Sequence, residues 1–162
     1  PTSGQIGKYD WGAVYAAEPI IRDDHVVIYY GSNNGPHYGW RAGFLCRCTL
    51  RKDGFAGFEQ LLNRHDKVGT VATKPIRVTH SCLHVNADIM PGGGFVKVIV
   101  SDKKGSRLGV SERLTQTATD GIVDWKDGFL MKPLVGSEVR LEFVLKTAKL
   151  YSFNFQDSSC RR

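Results

Sequence analysis

The stretch HVVIYYGSNNGPHYGWRAGFLCRCTLR, residues 25–51, indicates most strongly how this chain folds. Two runs of β-branched and aromatic residues, His25–Tyr30 and Ala42–Arg51, flank the polar loop Gly31–Arg41. Runs of this composition favour strands, and the period of two places alternate side chains on opposite faces. The stretch therefore predicts two neighbouring strands that hold a long loop between them. Because Val26–Tyr30 is apolar on both faces, we expect its strand to be central and buried.

The same pattern of strands and turns continues along the rest of the chain. Apolar and polar positions alternate in Ser81–Ile89 and in Glu138–Lys146, and Gly-rich or Asp-Gly turns separate such runs. No run keeps the i, i+3, i+4, i+7 spacing of an amphipathic helix. The pattern predicts an all-β protein, a single antiparallel, jelly-roll-like β-sandwich of about nine or ten short strands. The predicted strands are 13–21, 25–30, 42–51, 69–78, 81–89, 95–101, 106–110, 121–125, 138–146 and 149–155.

The composition is that of one globular domain. The chain has 162 residues, of which 41% are apolar and 23% charged, and no apolar run reaches the roughly 18 residues of a membrane-spanning helix. We expect residues 1–12 to form an extended lead-in, 13–155 the sandwich and 156–162 a C-terminal tail. The net charge of +6 comes from Lys and Arg residues that are scattered rather than gathered into one stripe. No specific nucleic-acid partner is therefore expected.

The four cysteines leave two interpretations open. Cys46 and Cys48 lie two residues apart in one predicted strand, on the same face as Phe44 and Leu50, and this spacing is poor for a mutual disulfide. It also lacks the matching second pair that zinc sites use. We expect buried free thiols; the alternative is one or two long-range disulfides, for instance one that ties Cys160 to the body of the domain. The cysteines are Cys46, Cys48, Cys82 and Cys160.

A series of strand and turn phrases follows in a characteristic order. They are Val14–Ile20, Tyr29–Gly31 with His37 after it, Thr49–Phe55, Gly69–Pro75, Leu83–Asp88, Val139–Lys146 and Ala148–Phe153. Their order resembles the C-terminal part of glycoside-hydrolase-like proteins of the β-fructosidase and arabinanase type. In those proteins a five-bladed β-propeller is followed by a β-sandwich. The resemblance covers roughly residues 14–155.

The resemblance implies a fold and a connection with carbohydrates. Residues 13–51 correspond to the last propeller segment, and the remainder corresponds to the sandwich. In such enzymes the catalytic carboxylates lie on earlier blades, which this sequence does not contain. The resemblance therefore carries over no catalytic residue. It leaves open that the chain is the C-terminal fragment of a glycoside-hydrolase-like protein, and we expect an extracellular or secreted location.

The loop Gly31–Arg41 contains the candidate ligand site. Its Trp and Tyr side chains offer aromatic faces for the C–H face of a sugar ring, and its Asn, His and Arg side chains offer donors and acceptors for the hydroxyls. The alternative is that Asn-Asn-Gly-Pro only makes a turn, that Trp40 fills the core and that His37 caps a strand. The predicted ligand-binding residues are Asn33, Asn34, His37, Tyr38, Trp40 and Arg41.

Catalytic and metal sites have less support in the sequence. A glycoside hydrolase needs two acids roughly 5–10 Å apart on one cleft. Most acids here occupy turns, and Glu18 is the one next to strand residues near the loop. No Gly-x-Ser-x-Gly elbow and no phosphate-binding loop occurs. We expect no catalytic residue, no metal site and no cofactor, with Ca²⁺ held by turn aspartates as the alternative.

These observations predict a non-catalytic carbohydrate-binding domain, lectin-like or accessory, whose partner is a glycan or polysaccharide. A second hypothesis is a structural or protein-interaction domain that meets a partner domain or a second copy. Its mark would be an exposed patch made by Trp11, Tyr15 and Tyr29. A third hypothesis, an independent glycoside hydrolase, depends on Glu18.

Overall fold

The computed structural model describes residues 6–60 and 67–157. Within these ranges the chain forms thirteen strands and one short 3₁₀ helix, Lys132–Leu134. All strand pairs are antiparallel, and the sheets are not closed into a barrel, so the predicted all-β class is confirmed. None of the described residues belongs to a helix long and apolar enough to cross a membrane. Packing divides the chain into an N-terminal unit, residues 1–52, and a C-terminal unit, residues 53–162.

The N-terminal unit is one sheet built around a central strand. Its strands are β1 (Ala13–Ala16), β2 (Ile20–Ile21), β3 (His25–Asn33) and β4 (Gly43–Arg51). β3 pairs along its whole length with β4, and on its other side it pairs with β1 and β2. Pro19 separates β1 from β2, because proline has no N–H for the ladder. The loop between β3 and β4 is therefore held by the longest strand pair of the unit.

This sheet buries little apolar surface. Among the described residues of the unit, Val26 is the one hydrophobic side chain that is buried. The expectation that Val26–Tyr30 is buried on both faces is wrong, because Tyr29 is 42% exposed. Its direct partner on β4 is Arg47, and a charged neighbour keeps that face of the sheet in water. The central position of β3 is confirmed by its two sets of partners.

The cysteines of β4 are free thiols, as expected. Cys46 and Cys48 alternate with exposed residues, and their side chains are half-buried rather than buried. The Sγ atom of Cys46 lies 3.2 Å from the hydroxyl oxygen of Ser32, its diagonal neighbour on β3, since Cys46 is paired with Tyr30 and Ser32 with Phe44. The two thiols therefore belong to the partly covered face of the sheet.

The C-terminal unit is a sandwich of two sheets. Its strands are β5 (Phe58–Glu59), β6 (Gly69–Ala72), β7 (Ile76–Arg77), β8 (Cys82–Ile89), β9 (Phe95–Ser101), β10 (Arg107–Val110), β11 (Ala118–Ile122), β12 (Glu138–Lys146) and β13 (Ala148–Gln156). One sheet has the order β10-β9-β12-β6, with β7 also on β12, and the other has the order β11-β8-β13-β5. The predicted strand 69–78 is split into β6 and β7 around Pro75, which cannot donate to the ladder.

The core of the C-terminal unit is formed by the facing sides of its two sheets. The alternation predicted for β8 and β12 is confirmed, and β9 has the same pattern, because every second residue of these strands is buried in one cluster. Phe143 and Phe153 join the sheets, with ring centroids 5.0 Å apart. The inward side chains of the three strands are Leu83, Val85, Ala87, Val96, Val98, Val100, Val139, Leu141, Phe143 and Leu145.

β13 departs from the regular alternation of a strand at Tyr151. Leu150 and Ser152 face successive residues of β8, so Tyr151 is the extra residue of a β-bulge. Phe153 and Phe155 pack on the core, whereas the Tyr151 hydroxyl donates to Asp88 Oδ2 at 2.7 Å. Tyr151 therefore does not share a side with Phe153 and Phe155, since one inserted residue reverses the phase of the strand.

Side chains outside the core of this unit are covered to different extents. His84 and Asn86 lie on the face opposite the core, as predicted, but both side chains are buried instead of solvent-facing. Phe55 and Phe58 are both exposed, and Phe58 belongs to β5, an edge strand of only two residues. Edge positions have neighbours on one side only and so cover less of a large side chain.

Cys82 is buried and disulfide-bonded. At this cysteine the disulfide alternative holds, in contrast to the free thiols of β4. Cys160 and most of the predicted tail, 156–162, lie outside the described residues.

Candidate functional site

The base of the 31–41 loop is closed by Asn34. Its side-chain Oδ1 accepts a hydrogen bond from the Ala42 N–H at 3.0 Å, and its own N–H donates to the Ala42 carbonyl at 3.4 Å. Directly below, Asn33 and Gly43 are the last pair of the β3–β4 ladder. Asn34 therefore acts as a clamp that continues the ladder by one step, because an Asn side chain can imitate a backbone acceptor.

Arg41 fixes the middle of the loop by hydrogen bonds to two backbone carbonyls of the same loop. Its Nη1 donates to the Pro36 carbonyl at 3.1 Å and also to the His37 carbonyl. A guanidinium group presents several donors in one plane, so a single side chain can fix two carbonyls. Arg41 thereby fixes the backbone that carries the exposed side chains of Tyr38 and Trp40.

Asn33 is a buried part of the framework. It is 5% exposed, and its carbonyl accepts a hydrogen bond from the Gly12 N–H at 2.9 Å. Its Oδ1 is enclosed without a hydrogen-bond partner among the described residues. The chain segment just before β1 thus packs on the start of the loop. Asn33 is not placed to meet a ligand at the surface.

Tyr38 and Trp40 stand out into solvent at the tip of the loop. Tyr38 is 82% exposed and Trp40 is 92% exposed. Gly39 lies between them with φ +86°, a left-handed conformation that glycine adopts at little cost. The structure excludes the alternative in which Trp40 fills the core. Two large aromatic rings lie exposed within three residues, and a solvated Trp on an ordered loop is typical of a contact surface.

His37 and Tyr15 add polar groups beside these rings. The Tyr15 hydroxyl lies 3.4 Å from His37 Nδ1, and both side chains are exposed. Tyr15 belongs to β1, where it faces Gly31 across the β1–β3 pair. Tyr15 is not among the predicted site residues, since 22 residues separate it from His37 in the sequence. The available signal was the strand pairing, which places Tyr15 over a glycine at the foot of the loop.

The six predicted site residues thus divide into two groups. Asn33, Asn34 and Arg41 form the framework, whereas His37, Tyr38 and Trp40 are exposed. The exposed group, with Tyr15 added, is called the aromatic tip below. It combines two aromatic faces with an imidazole and a phenol hydroxyl.

The aromatic tip has no carboxylate of its own. The whole segment from His25 to Arg51 contains no Asp or Glu. Glu18, the acid singled out for catalysis, is exposed in the connection between β1 and β2. Among the described residues, no three His, Cys, Asp or Glu side chains are grouped to hold a metal ion. The tip can therefore stack and hydrogen-bond, but it offers no paired acids for hydrolysis.

A separate polar network lies on the outer face of the β11-β8-β13 sheet. The buried His84 ring has Nδ1 2.8 Å from Asp120 Oδ1, and Gln156 Nε2 donates to the same oxygen at 3.2 Å. Asp120 is itself exposed. A carboxylate that accepts from one ring nitrogen fixes the tautomer and orientation of an imidazole. This network therefore ties three neighbouring strands together on the side away from the core.

Comparisons with protein-family models, with curated proteins and with solved structures give no match to this chain. The resemblance to propeller-and-sandwich proteins remains a hypothesis from the sequence.

Proposed function

We propose that this protein is a non-catalytic carbohydrate-binding module, lectin-like or accessory, and that the aromatic tip is its ligand site. One observation carries the proposal: Tyr38 and Trp40 are almost fully exposed on a loop whose backbone is fixed by Asn34 and Arg41. Burying such rings against a ligand releases water from large apolar surfaces.

The chemistry of the tip fits a sugar better than a purely apolar ligand. The C–H face of a pyranose ring can stack on an aromatic ring, while its hydroxyls need donors and acceptors nearby. His37 and the Tyr15 hydroxyl supply such groups next to the rings. A loop already fixed by internal hydrogen bonds loses less conformational entropy on binding, so a small contact area can suffice.

The experiment is a calorimetric titration of the whole chain with a panel of neutral oligosaccharides and polysaccharides. Trp40→Ala and Tyr38→Ala should each weaken binding about tenfold or more, since an aromatic anchor contributes roughly 1.5–3 kcal/mol. Neither substitution should change the unfolding temperature much, because both rings are exposed.

Leu45→Ala is the matched control. Leu45 is 83% exposed on β4 of the same sheet, but it is not part of the tip. Its truncation should leave affinity unchanged. A folded wild-type protein that binds no member of the panel would refute the proposal, as would an equal loss of affinity in the Leu45 variant.

A second candidate function, protein interaction, is favoured by a different observation. Tyr15 and Tyr29 are both exposed, at 55% and 42%, on neighbouring strands, and Ile21 is also exposed. Trp11, the third residue of the expected patch, is half-buried. Sedimentation velocity over a range of concentrations separates the two functions. Self-association that Tyr29→Ser abolishes, without a change in sugar binding, would favour the second.

We also propose an extracellular location. The disulfide of Cys82 supports it, because disulfides persist in oxidising compartments and are rare in the cytosol. Mass spectrometry of the alkylated natural protein tests this directly. Without prior reduction, Cys46 and Cys48 should be labelled and Cys82 should be protected; labelling of Cys82 would contradict the proposal.

A further inference from the structure

An open cleft of about 570 Å³ lies in the C-terminal unit, and no residue of the aromatic tip lines it. Its walls are the turn Asp102–Lys104 after β9, the segment Gly136–Glu138 that leads into β12, and Arg77 of β7. The volume falls within the range of about 300–1,000 Å³ that is usual for small-ligand sites. Because all its walls belong to one unit, the cleft is a feature of the sandwich itself.

Backbone hydrogen bonds fix both turns that form the walls. In the first turn, the Asp102 N–H donates to the Ser106 carbonyl at 2.9 Å, and the Gly105 N–H donates to the Asp102 carbonyl at 3.1 Å. In the second, the Ser137 N–H donates to the Leu134 carbonyl at 2.9 Å. Arg77 is placed by strand pairing, since it lies directly opposite Glu138. The side chains of the cleft thus stand on an ordered backbone.

Both carboxylates of the cleft are already occupied. Asp102 Oδ1 accepts hydrogen bonds from the Lys104 and Ser106 N–H groups, each at 2.8 Å. These bonds keep the pKa of Asp102 below its ordinary value. Glu138 Oε2 lies 2.7 Å from Lys103 Nζ, and the hydrogen bond from Lys103 lowers the pKa of Glu138. Both acids are therefore charged at neutral pH, and each has its own donor.

Positive charge is left over after these pairings. Three cations, Arg77, Lys103 and Lys104, line the cleft against two carboxylates, and one of those carboxylates is satisfied by backbone N–H groups. Both Arg77 and Lys104 are exposed. The planar guanidinium of Arg77 can bind two oxygens of an oxoanion at once, and Lys104 can supply a further charged donor.

We propose that this cleft is a second ligand site, which binds an oxoanion group carried by an acidic saccharide: a uronate carboxylate or a sulfate ester. The preference for an oxoanion rests on the cleft alone. The saccharide nature of the ligand rests on the function proposed for the aromatic tip. Arg77 and Lys104 bind the anion, Lys103 remains with Glu138, and the hydroxyl of Ser137, which also lines the cleft, adds a neutral donor.

Nuclear magnetic resonance titration of the whole chain, with separate arms for glucuronate and for sodium sulfate at constant ionic strength, tests the site. The amide resonances of Gly105, Gly136 and Ser137 should shift with both probes and should not shift with glucose. Arg77→Gln and Lys104→Gln should each weaken binding about tenfold, the usual cost of one charge-assisted hydrogen bond. Glu138→Gln removes a competing negative charge and should strengthen it.

Lys67→Gln makes the same charge change at a distant point. Lys67 lies just before Gly69, which pairs with Leu145 at the other end of β12 from Glu138. If Lys67→Gln weakened anion binding as much as Arg77→Gln does, the loss would come from the lower net charge of the protein and the proposed site would be wrong. Shifts confined to residues outside the cleft, or no shifts with either anion, would also overturn it.

Trp40→Ala separates this proposal from the proposed function. The variant should retain anion binding in the cleft, because no residue of the tip lines it. If Arg77→Gln no longer shows the anion-induced amide shifts of the cleft but still binds neutral sugars as the wild type does, a second site is supported. If neutral sugars do not bind but the cleft resonances still shift with the anions, the aromatic tip is not a sugar site and the ligand of the cleft is not assigned as a saccharide. The oxoanion site would still be supported by that result.

Discussion

Gly12 and Gly35 are in direct backbone contact. A Cβ atom placed on residue 12 would lie 1.6 Å from the Gly35 carbonyl oxygen and 2.2 Å from Asn33 Oδ1. Both distances are far below any van der Waals separation, so a side chain at residue 12 cannot coexist with the present loop. The segment before β1 therefore determines where the 31–41 loop lies.

Gly12→Ala should displace the loop and weaken sugar binding by the aromatic tip, although no residue of the tip is changed. Overpacking of this kind costs typically about 1–3 kcal/mol. Urea unfolding followed by Trp fluorescence, together with the sugar titration, measures both effects.

Gly43→Ala is the control for this change. Gly43 is the first residue of β4, just after the loop, and a Cβ atom there would have no other atom within 4 Å. It should leave affinity and stability nearly unchanged. Similar losses in both variants would show that the contact between Gly12 and Gly35 does not position the loop.

Arg41→Lys should loosen the loop while keeping its positive charge. A lysine cannot reach the two carbonyls of Pro36 and His37 in the same fixed geometry, so the backbone under Tyr38 and Trp40 gains freedom. We expect about tenfold weaker sugar binding and faster amide hydrogen exchange in the loop. Arg47→Lys, on the exposed face of β4, is the control. Unchanged exchange in the Arg41 variant would contradict the assigned role.

Residues 53–162 should fold when expressed alone, whereas residues 1–52 should not. The C-terminal unit has its own core between two sheets. The described part of the N-terminal unit buries one hydrophobic side chain, Val26, and a small sheet without a core is at best marginally stable in water. Circular dichroism and thermal unfolding measure both fragments.

Phe143→Ala provides an internal reference for that experiment. Phe143 is 1% exposed in the core of the C-terminal unit, and its truncation should cost about 3–5 kcal/mol. The cost should be the same in the fragment as in the whole chain. Cooperative unfolding of residues 1–52 would show that the N-terminal sheet has a core of its own.

Tyr30 should titrate later than an ordinary tyrosine. Partial burial, with Cys46 as the next cause, raises the pKa of Tyr30 to about 12. An unfolded chain releases this proton near pH 10. The contribution of Tyr30 to stability is therefore complete below about pH 10 and is lost as the pH rises towards 12.

Ultraviolet absorbance of tyrosinate measures this titration among the six tyrosines of the chain. Tyr30→Phe should remove the component with the highest pKa and should flatten the loss of stability in alkali. A late component that survives in the Phe variant would belong to another tyrosine.

The fold was predictable from the sequence where apolar and polar residues alternate regularly along a strand. The alternation in β8, β9 and β12 identified their inward side chains, because burial between two sheets selects every second residue. Tyr151 could not be placed in this way, since a bulge has no fixed sequence signal and reverses the phase after it. The burial of Tyr29 was predicted wrongly because the sequence of an apolar strand does not show whether its face packs on a core or lies beside a charged residue such as Arg47.

The site was predictable in its location but less so in the roles of its residues. Composition alone marked the 31–41 loop, yet it could not separate Trp40, which is exposed, from Asn33, which is buried. That difference depends on the approach of Gly12 from another part of the chain. Tyr15 was missed for the same reason, because strand pairing rather than sequence proximity brings it to His37.

The bulge at Tyr151 has a consequence for how this strand can change during evolution. Leu150 and Ser152 face Ala87 and Asn86, which are adjacent on β8, so removing the residue between them leaves every other pair in register. Leu150, Ser152 and Phe153 would then alternate without interruption. A single-residue deletion, which elsewhere in a buried strand would turn the core side chains outward, can be absorbed here. Position 151 is thus a point where the length of β13 can vary by one residue between related chains.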